Sequence, residues 1–238
     1  MTIWTAIFLL LGGVGGGLLS SIASMALLAS YPVLLAVGIP PVYANVTNDA
    51  ALIWTSIGST ISSIKELKGH WKETWFFTIF TVLGSIVGCM LLLSFPSSVF
   101  EKAVPFFIAF SGIMILVSGK HNTLNTEKQP TWLRIVYLGT LLIMGAYTGY
   151  FGAAGGVIVI NAIKNVISGF ANLVALIIFM FTSHIYWLQA IPLAIGMFIG
   201  GYIGPAILRR VPEKPVRIFI ATLAFVQSAY FFYTAYLG

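Results

Sequence analysis

Lys164 is the only charged side chain between residues 135 and 208, and asparagines flank it at Asn161 and Asn165, with Asn172 two turns further on. A second polar knot, Asn45, Thr47, Asn48 and Asp49, interrupts another apolar stretch. Amide N–H groups and an ammonium are hydrogen-bond donors, and grouped in a dry interior they suit a small oxyanion. Glycines accompany both knots. Gly12-Gly13-Val14-Gly15-Gly16-Gly17 precedes the first, and Gly152, Gly155 and Gly156 precede the second within the stretch from Gly145 to Asn172. If the helices break at these runs, freed amides of Gly15, Gly16, Gly17, Gly155 and Gly156 add donors at helix N-termini, where partial positive charge favours an anion.

Each feature also has a plainer reading. Glycine runs in membrane helices let backbones pack closely, although a glycine costs ~1 kcal/mol relative to alanine inside a helix. Lys164 could snorkel to the interface on its four-carbon stem or, held at depth, face water, a partner or an anion. Asp49 is either a wet carboxylate at a helix start or a coupling group that pairs with Lys164 in an empty site. No paired carboxylates, His-based metal set or Ser/His arrangement falls inside an apolar run, so the chain does not read as an enzyme. His184 has no second His or Cys at ligand spacing, so neither a metal nor another cofactor is expected. No Gly-Lys-Ser/Thr phosphate loop is present.

The elements that must position these groups are membrane helices. Hydrophobic residues are 59% of the 238 and charged residues 8%, with a mean hydropathy of +0.99. Roughly a quarter of a soluble domain is charged, so this chain cannot cover its surface in water. Several apolar runs reach the ~20 residues that cross a bilayer, and the weak ten-residue alternation of a β-barrel is absent. The N-terminus lacks a basic region before its apolar run and reads as a retained span. Cys89 is the single cysteine, so no intramolecular disulfide forms. The net charge of +6 is ordinary for loops facing anionic lipid, and no basic–aromatic face suggests nucleic acid.

Taken in order, spans are expected at about 3–29, 45–64, 75–94, 103–118, 132–151, 166–182, 186–208 and 218–236, with a polar linker at 119–131. Tyr31-Pro32 and Pro40-Pro41 are expected to break the helix and to bracket a short re-entrant piece. The chain divides into a first repeat (1–118), the linker, and a second repeat (132–238) shortened near 157–161. Glu101-Lys102-x-Val104 recurs as Glu213-Lys214-x-Val216, an offset of 112 that also carries Gly84 onto Gly196 and Gly88 onto Gly200. The fold class is therefore all-α: a polytopic helical membrane protein of two homologous halves, about four spans each, with Gly-broken helices. Matching interruptions in two halves are the best sequence pointer to a transporter site. The second half lacks 22 residues between its glycine run and its knot, so that stretch either turns sharply or runs on as one long segment.

The G-G-V-G-G-G run, P-P-V-x-A-N-V-T-N from Pro40, K-E-L-K-G from Lys65, F-G-A-A-G-G from Phe151, N-A-I-K-N-x-x-x-G-x-A-N from Asn161, F-x-x-H-x-x-W from Phe181 and the glycines at 196–204 together resemble the sulfite exporter TauE/SafE family of membrane transporters. The resemblance implies a duplicated bundle that moves small anions, sulfite or organosulfonates, across the cytoplasmic membrane. It implies polar site positions at Asn45, Thr47, Asn48, Lys164 and Asn165. Set against the resemblance, the short second half also admits a non-transporting scaffold or accessory subunit, or a deletion variant with reduced transport. The partners expected are a small anionic substrate and the lipid bilayer, with assembly into a homo-oligomer left open. Basic residues divide six against six between the two membrane faces, so the positive-inside rule leaves orientation unset.

Overall fold

The computed structural model describes residues 1–117, 139 and 158–237. Eight helices form among the described residues: α1 (Ile3–Ala23), α2 (Leu27–Ala36), α3 (Pro41–Ser62), α4 (Trp71–Ser94), α5 (Ser97–Val117), α6 (Ile158–Thr182), α7 (Trp187–Leu208) and α8 (Glu213–Tyr236). Five are long and apolar enough to cross a bilayer: all of α1 and α7, and most of α4, α6 and α8. The expected linker, the fifth span and the second glycine run lie outside the described residues.

The expected break at Gly12–Gly17 is not there. α1 continues through all five glycines, which serve two contact faces. Gly13 and Gly17 meet the backbone of α7, at Leu193, Gly196, Met197 and Gly201. Gly12, Gly15 and Gly16 meet α2, at Val33, Ala29 and Ser30. α7 answers in kind: a Cβ on Gly196 or Gly200 would collide with the α1 carbonyls of Leu10 or Val14. α7 is thus wedged between α1 and α3, whose Gly58 approaches the backbone of Phe198 and Tyr202. In hydrocarbon, apolar surface gains little by leaving lipid, so close backbone packing through small residues carries the association.

The real interruption of the first span comes at Ser24, which takes left-handed backbone (φ 56) and ends α1. Among the described residues it is the only non-glycine residue with positive φ. α2 then packs along α1 as a ten-residue helix, too short to span, and it runs through Pro32 rather than breaking there. Pro105 is likewise inside α5 and Pro192 and Pro205 inside α7. Without competing water, neighbouring groups take up the few backbone bonds that proline removes.

α5 packs on α8, α4 on α6, and α3 on both α6 and α7. Tyr31 anchors the centre, with edge-on rings of Phe231 at 5.5 Å and Phe100 at 6.4 Å. Outward-facing apolar side chains such as Trp4, Ile79 and Phe181 are exposed, as lipid contact requires. At one end Arg209 ties α7 to α3: its Nη2 donates to the Ser62 carbonyl at 2.6 Å and its Nε to Glu66 Oε1 at 2.8 Å.

Candidate functional site

Pro41 occupies the first turn of α3, where its missing N–H costs nothing, and starts the helix a turn earlier than the sequence suggests. The polar knot is therefore not a helix cap. Residues 44–52 are nine successive buried positions, so this half of α3 is enclosed on every side. Asn45 is 1% exposed, Thr47 and Asn48 0% and Asp49 4%. The wet, interfacial reading of Asp49 is overturned, because the earlier helix start carries its carboxyl into the bundle.

Buried polar atoms normally find partners, and leaving one without costs about 1–3 kcal/mol. Thr47 Oγ1 accepts from the Tyr186 amide at 3.2 Å. Asn48 Oδ1 accepts from Ser30 Oγ at 2.5 Å. Among the described residues, Asn48 Nδ2, both amide atoms of Asn45, and Thr55 Oγ1 have no hydrogen-bond partner. Ser30 reaches Asn48 because Gly16 lets α2 come close; a Cβ on Gly16 would lie 3.1 Å from Ser30 Cβ.

The second knot is built differently. α6 is continuous from Ile158, with Lys164 and Asn165 projecting from its second turn, and the part of the stretch before Ile158 lies outside the described residues. Lys164 Nζ lies 3.4 and 3.5 Å from the carbonyls of Ser20 and Ser21, and Asn165 Nδ2 lies 3.4 Å from the Ser21 carbonyl. These carbonyls belong to the last turn of α1, at the negative end of the helix dipole, and that of Ser20 already accepts from the Ser24 amide at 2.7 Å. Lys164 and Asp49 do not form an ion pair; among the described residues that interaction is made by Arg209 and Glu66. Asn172 is also buried on α6.

The amides of Gly15, Gly16 and Gly17 are taken up inside α1, so the free-amide role expected of them is not open to them. Gly155 and Gly156 lie outside the described residues. The structure thus joins Asn45, Thr47 and Asn48 with Ser30 and the Tyr186 turn, and joins Lys164 and Asn165 with the end of α1. Ser30 and Tyr186 were not singled out from sequence. Ser30 is a polar residue inside an apolar run, which is a faint signal; Tyr186 acts through its backbone, which leaves none.

His184 sits in the turn before α7 with Tyr186 and Tyr43, ring centroids 4.8 and 6.1 Å away, beside the start of α3. A separate cavity of about 530 Å³ opens between α3, α4 and α6, but Ile57, Ile61, Trp71, Trp75 and Phe170 make its walls apolar. It offers an anion nothing, and the unpartnered amides lie elsewhere.

The model of the family described as sulfite exporter TauE/SafE matches residues 8–231. A probable membrane transporter protein of Haemophilus influenzae is 24% identical over 219 residues, covering 85% of this chain and 84% of the relative. The probable membrane transporter protein YfcA of Escherichia coli is 22% identical over 234 residues, covering 92% and 87%. The probable membrane transporter protein YunE of Bacillus subtilis is 22% identical over 233 residues, covering 86% and 85%. No solved structure gives a significant match.

Proposed function

The chain belongs to the sulfite exporter TauE/SafE family and is a multi-pass transporter of the cell membrane rather than an enzyme; from that premise we propose that its cargo is a small oxyanion, sulfite or an organosulfonate, moved by secondary transport. The observation that carries the proposal is the set of buried, unpartnered amide groups of Asn45 and Asn48 on the enclosed half of α3. An anion that accepts from these N–H groups relieves their desolvation cost, and charge-assisted bonds are about twice as strong as neutral ones. Thr47 holds the neighbouring turn to this helix. Lys164, with Asn165 and Asn172, supplies the basic and amide groups of the opposite helix, and its long contacts to α1 leave its ammonium weakly held.

We also read the bundle as two related halves. Under the offset of 112, α4 corresponds to α7 and α5 to α8, and the two polar knots pair α3 with α6. The packing of α3 on α7 then has its counterpart in α6 on α4, while α5–α8 and α3–α6 are self-paired. That exchange supports a site between the halves. The test is uptake of an anion panel by the purified protein in proteoliposomes, with and without an imposed proton gradient. Saturable uptake of sulfite or a sulfonate is the expected result; no uptake of any anion rejects the reading.

A further inference from the structure

The sign of the site depends on which end of the Asn48 amide faces it. An asparagine side chain can present two N–H donors or one carbonyl acceptor. Donors suit an anion, and the acceptor suits a cation or another donor. Rotation by about 180° exchanges them, so an amide without a fixed partner does not specify the sign of its ligand.

Ser30 decides this for Asn48. It is fully buried on α2, and its Oγ lies 2.5 Å from one amide atom of Asn48. That contact is an O–H···O bond in which the hydroxyl donates to the amide carbonyl oxygen. A second acceptor, the Ala26 carbonyl, lies 2.8 Å from the same hydroxyl. One hydrogen cannot serve both fully. Two oxygens at 2.5 Å with no hydrogen between them repel, so the hydrogen lies toward Asn48. Asn48 Nδ2 is then turned away from α2, and it is the atom left without a protein partner.

We infer that Ser30 is a positioning residue for anion selection: by donating to Asn48 Oδ1 it locks the amide with its N–H groups toward the transported anion. Gly16 belongs to the same device, because a side chain there would push α2 away. Asn45 has no such anchor on either amide atom among the described residues, so of the two α3 amides Asn48 has a fixed polarity and Asn45 adapts to what is bound. The inference rests on the anion-transport reading of this site and adds the group that sets its polarity.

The experiment measures initial sulfite uptake against concentration in proteoliposomes for the wild type, Ser30→Ala, Ser30→Cys, Asn48→Ala and the Ser30→Ala/Asn48→Ala double variant. Ser30→Ala is expected to raise KM about tenfold, the worth of one hydrogen bond to a charged ligand, with kcat little changed. Ser30→Cys, which keeps a weak donor, falls between wild type and alanine. In the Asn48→Ala background Ser30→Ala has no further effect, because Ser30 acts only through Asn48. An unchanged KM in Ser30→Ala, a loss confined to kcat, or additive effects in the double variant overturns the assignment while leaving anion transport intact. If Ser30→Ala does not fold, a KM for Ser30→Cys that rises in the Asn48 wild type but not in the Asn48→Ala background supports it, and an equal rise in both overturns it. Absence of saturable uptake by the wild type rejects the transport reading itself, and this inference with it.

Discussion

The two polar knots use the same residue types for different ends. On α3, Asn45 and Asn48 are enclosed on all sides and keep amide atoms without protein partners. On α6, Lys164 and Asn165 point at the carbonyls that end α1. The difference comes from their neighbours rather than from the knots. α3 is enclosed mainly by the sides of α7, α6 and α2, and the turn amide of Tyr186 that reaches it is taken by Thr47. α6 passes the end of α1 at Ser24, and the carbonyls there, at the negative end of the helix dipole, attract a cation or donor within reach. The amides on α3 are thus left to a ligand, whereas the groups on α6 lean on the end of a neighbouring helix.

The largest effect tests the packing that both knots share. A valine at Gly196 or Gly200 would press into the α1 backbone, and overpacking costs ~1–3 kcal/mol per site even where the structure can adjust. The double variant is expected to run as aggregate on size exclusion in detergent; a monodisperse peak with wild-type melting would show that close approach is not what joins α1 to α7. Next in size, Asn45→Ala/Asn48→Ala is expected to cut kcat/KM for sulfite uptake roughly a hundredfold, from two donors to a charged ligand at about 1.5 kcal/mol each. Uptake within twofold of wild type would remove the α3 knot from the transport route.

Lys164→Ala sharpens the contrast most directly. It deprives the end of α1 of its cation, an effect of roughly 0.3–1 kcal/mol on stability, and should lower the melting temperature by a few degrees while reducing uptake less than the asparagine pair does. Full anion flux in this variant would mean that the α6 knot only caps α1. The smallest effect belongs to Arg209→Ala. Its pairing with Glu66 is partly exposed, and exposed ion pairs contribute about 0–1 kcal/mol, so uptake should stay within a factor of two; a larger loss would make the α3–α7 tie part of the transport cycle.

Much of this arrangement was legible beforehand. Charge poverty and the lengths of the apolar runs require a helical membrane bundle. Asn45, Thr47, Asn48 and Asp49 stood out because they cluster within an otherwise largely apolar run. The glycine run was misjudged for a definite reason. Its cost inside a helix is local, whereas the contacts that repay it come from Leu193, Gly196 and Met197, some 180 residues away. The helix boundary at Pro32 failed similarly, since a rule calibrated in water overstates proline's breaking power where neighbouring helices replace water.

By itself the sequence determined the solvent, since a chain with 8% charged residues must live in lipid, and it determined which polar groups that lipid would force into the bundle. Tertiary structure decided what those groups do. Whether an amide is a ligand donor, a strut or a cap depends on whether an acceptor stands within about 3 Å, and that distance is set by how helices far apart in the chain come to lie together. Ser30 beside Asn48 and the end of α1 beside Lys164 are two such meetings, and neither is written in the spacing of the residues themselves.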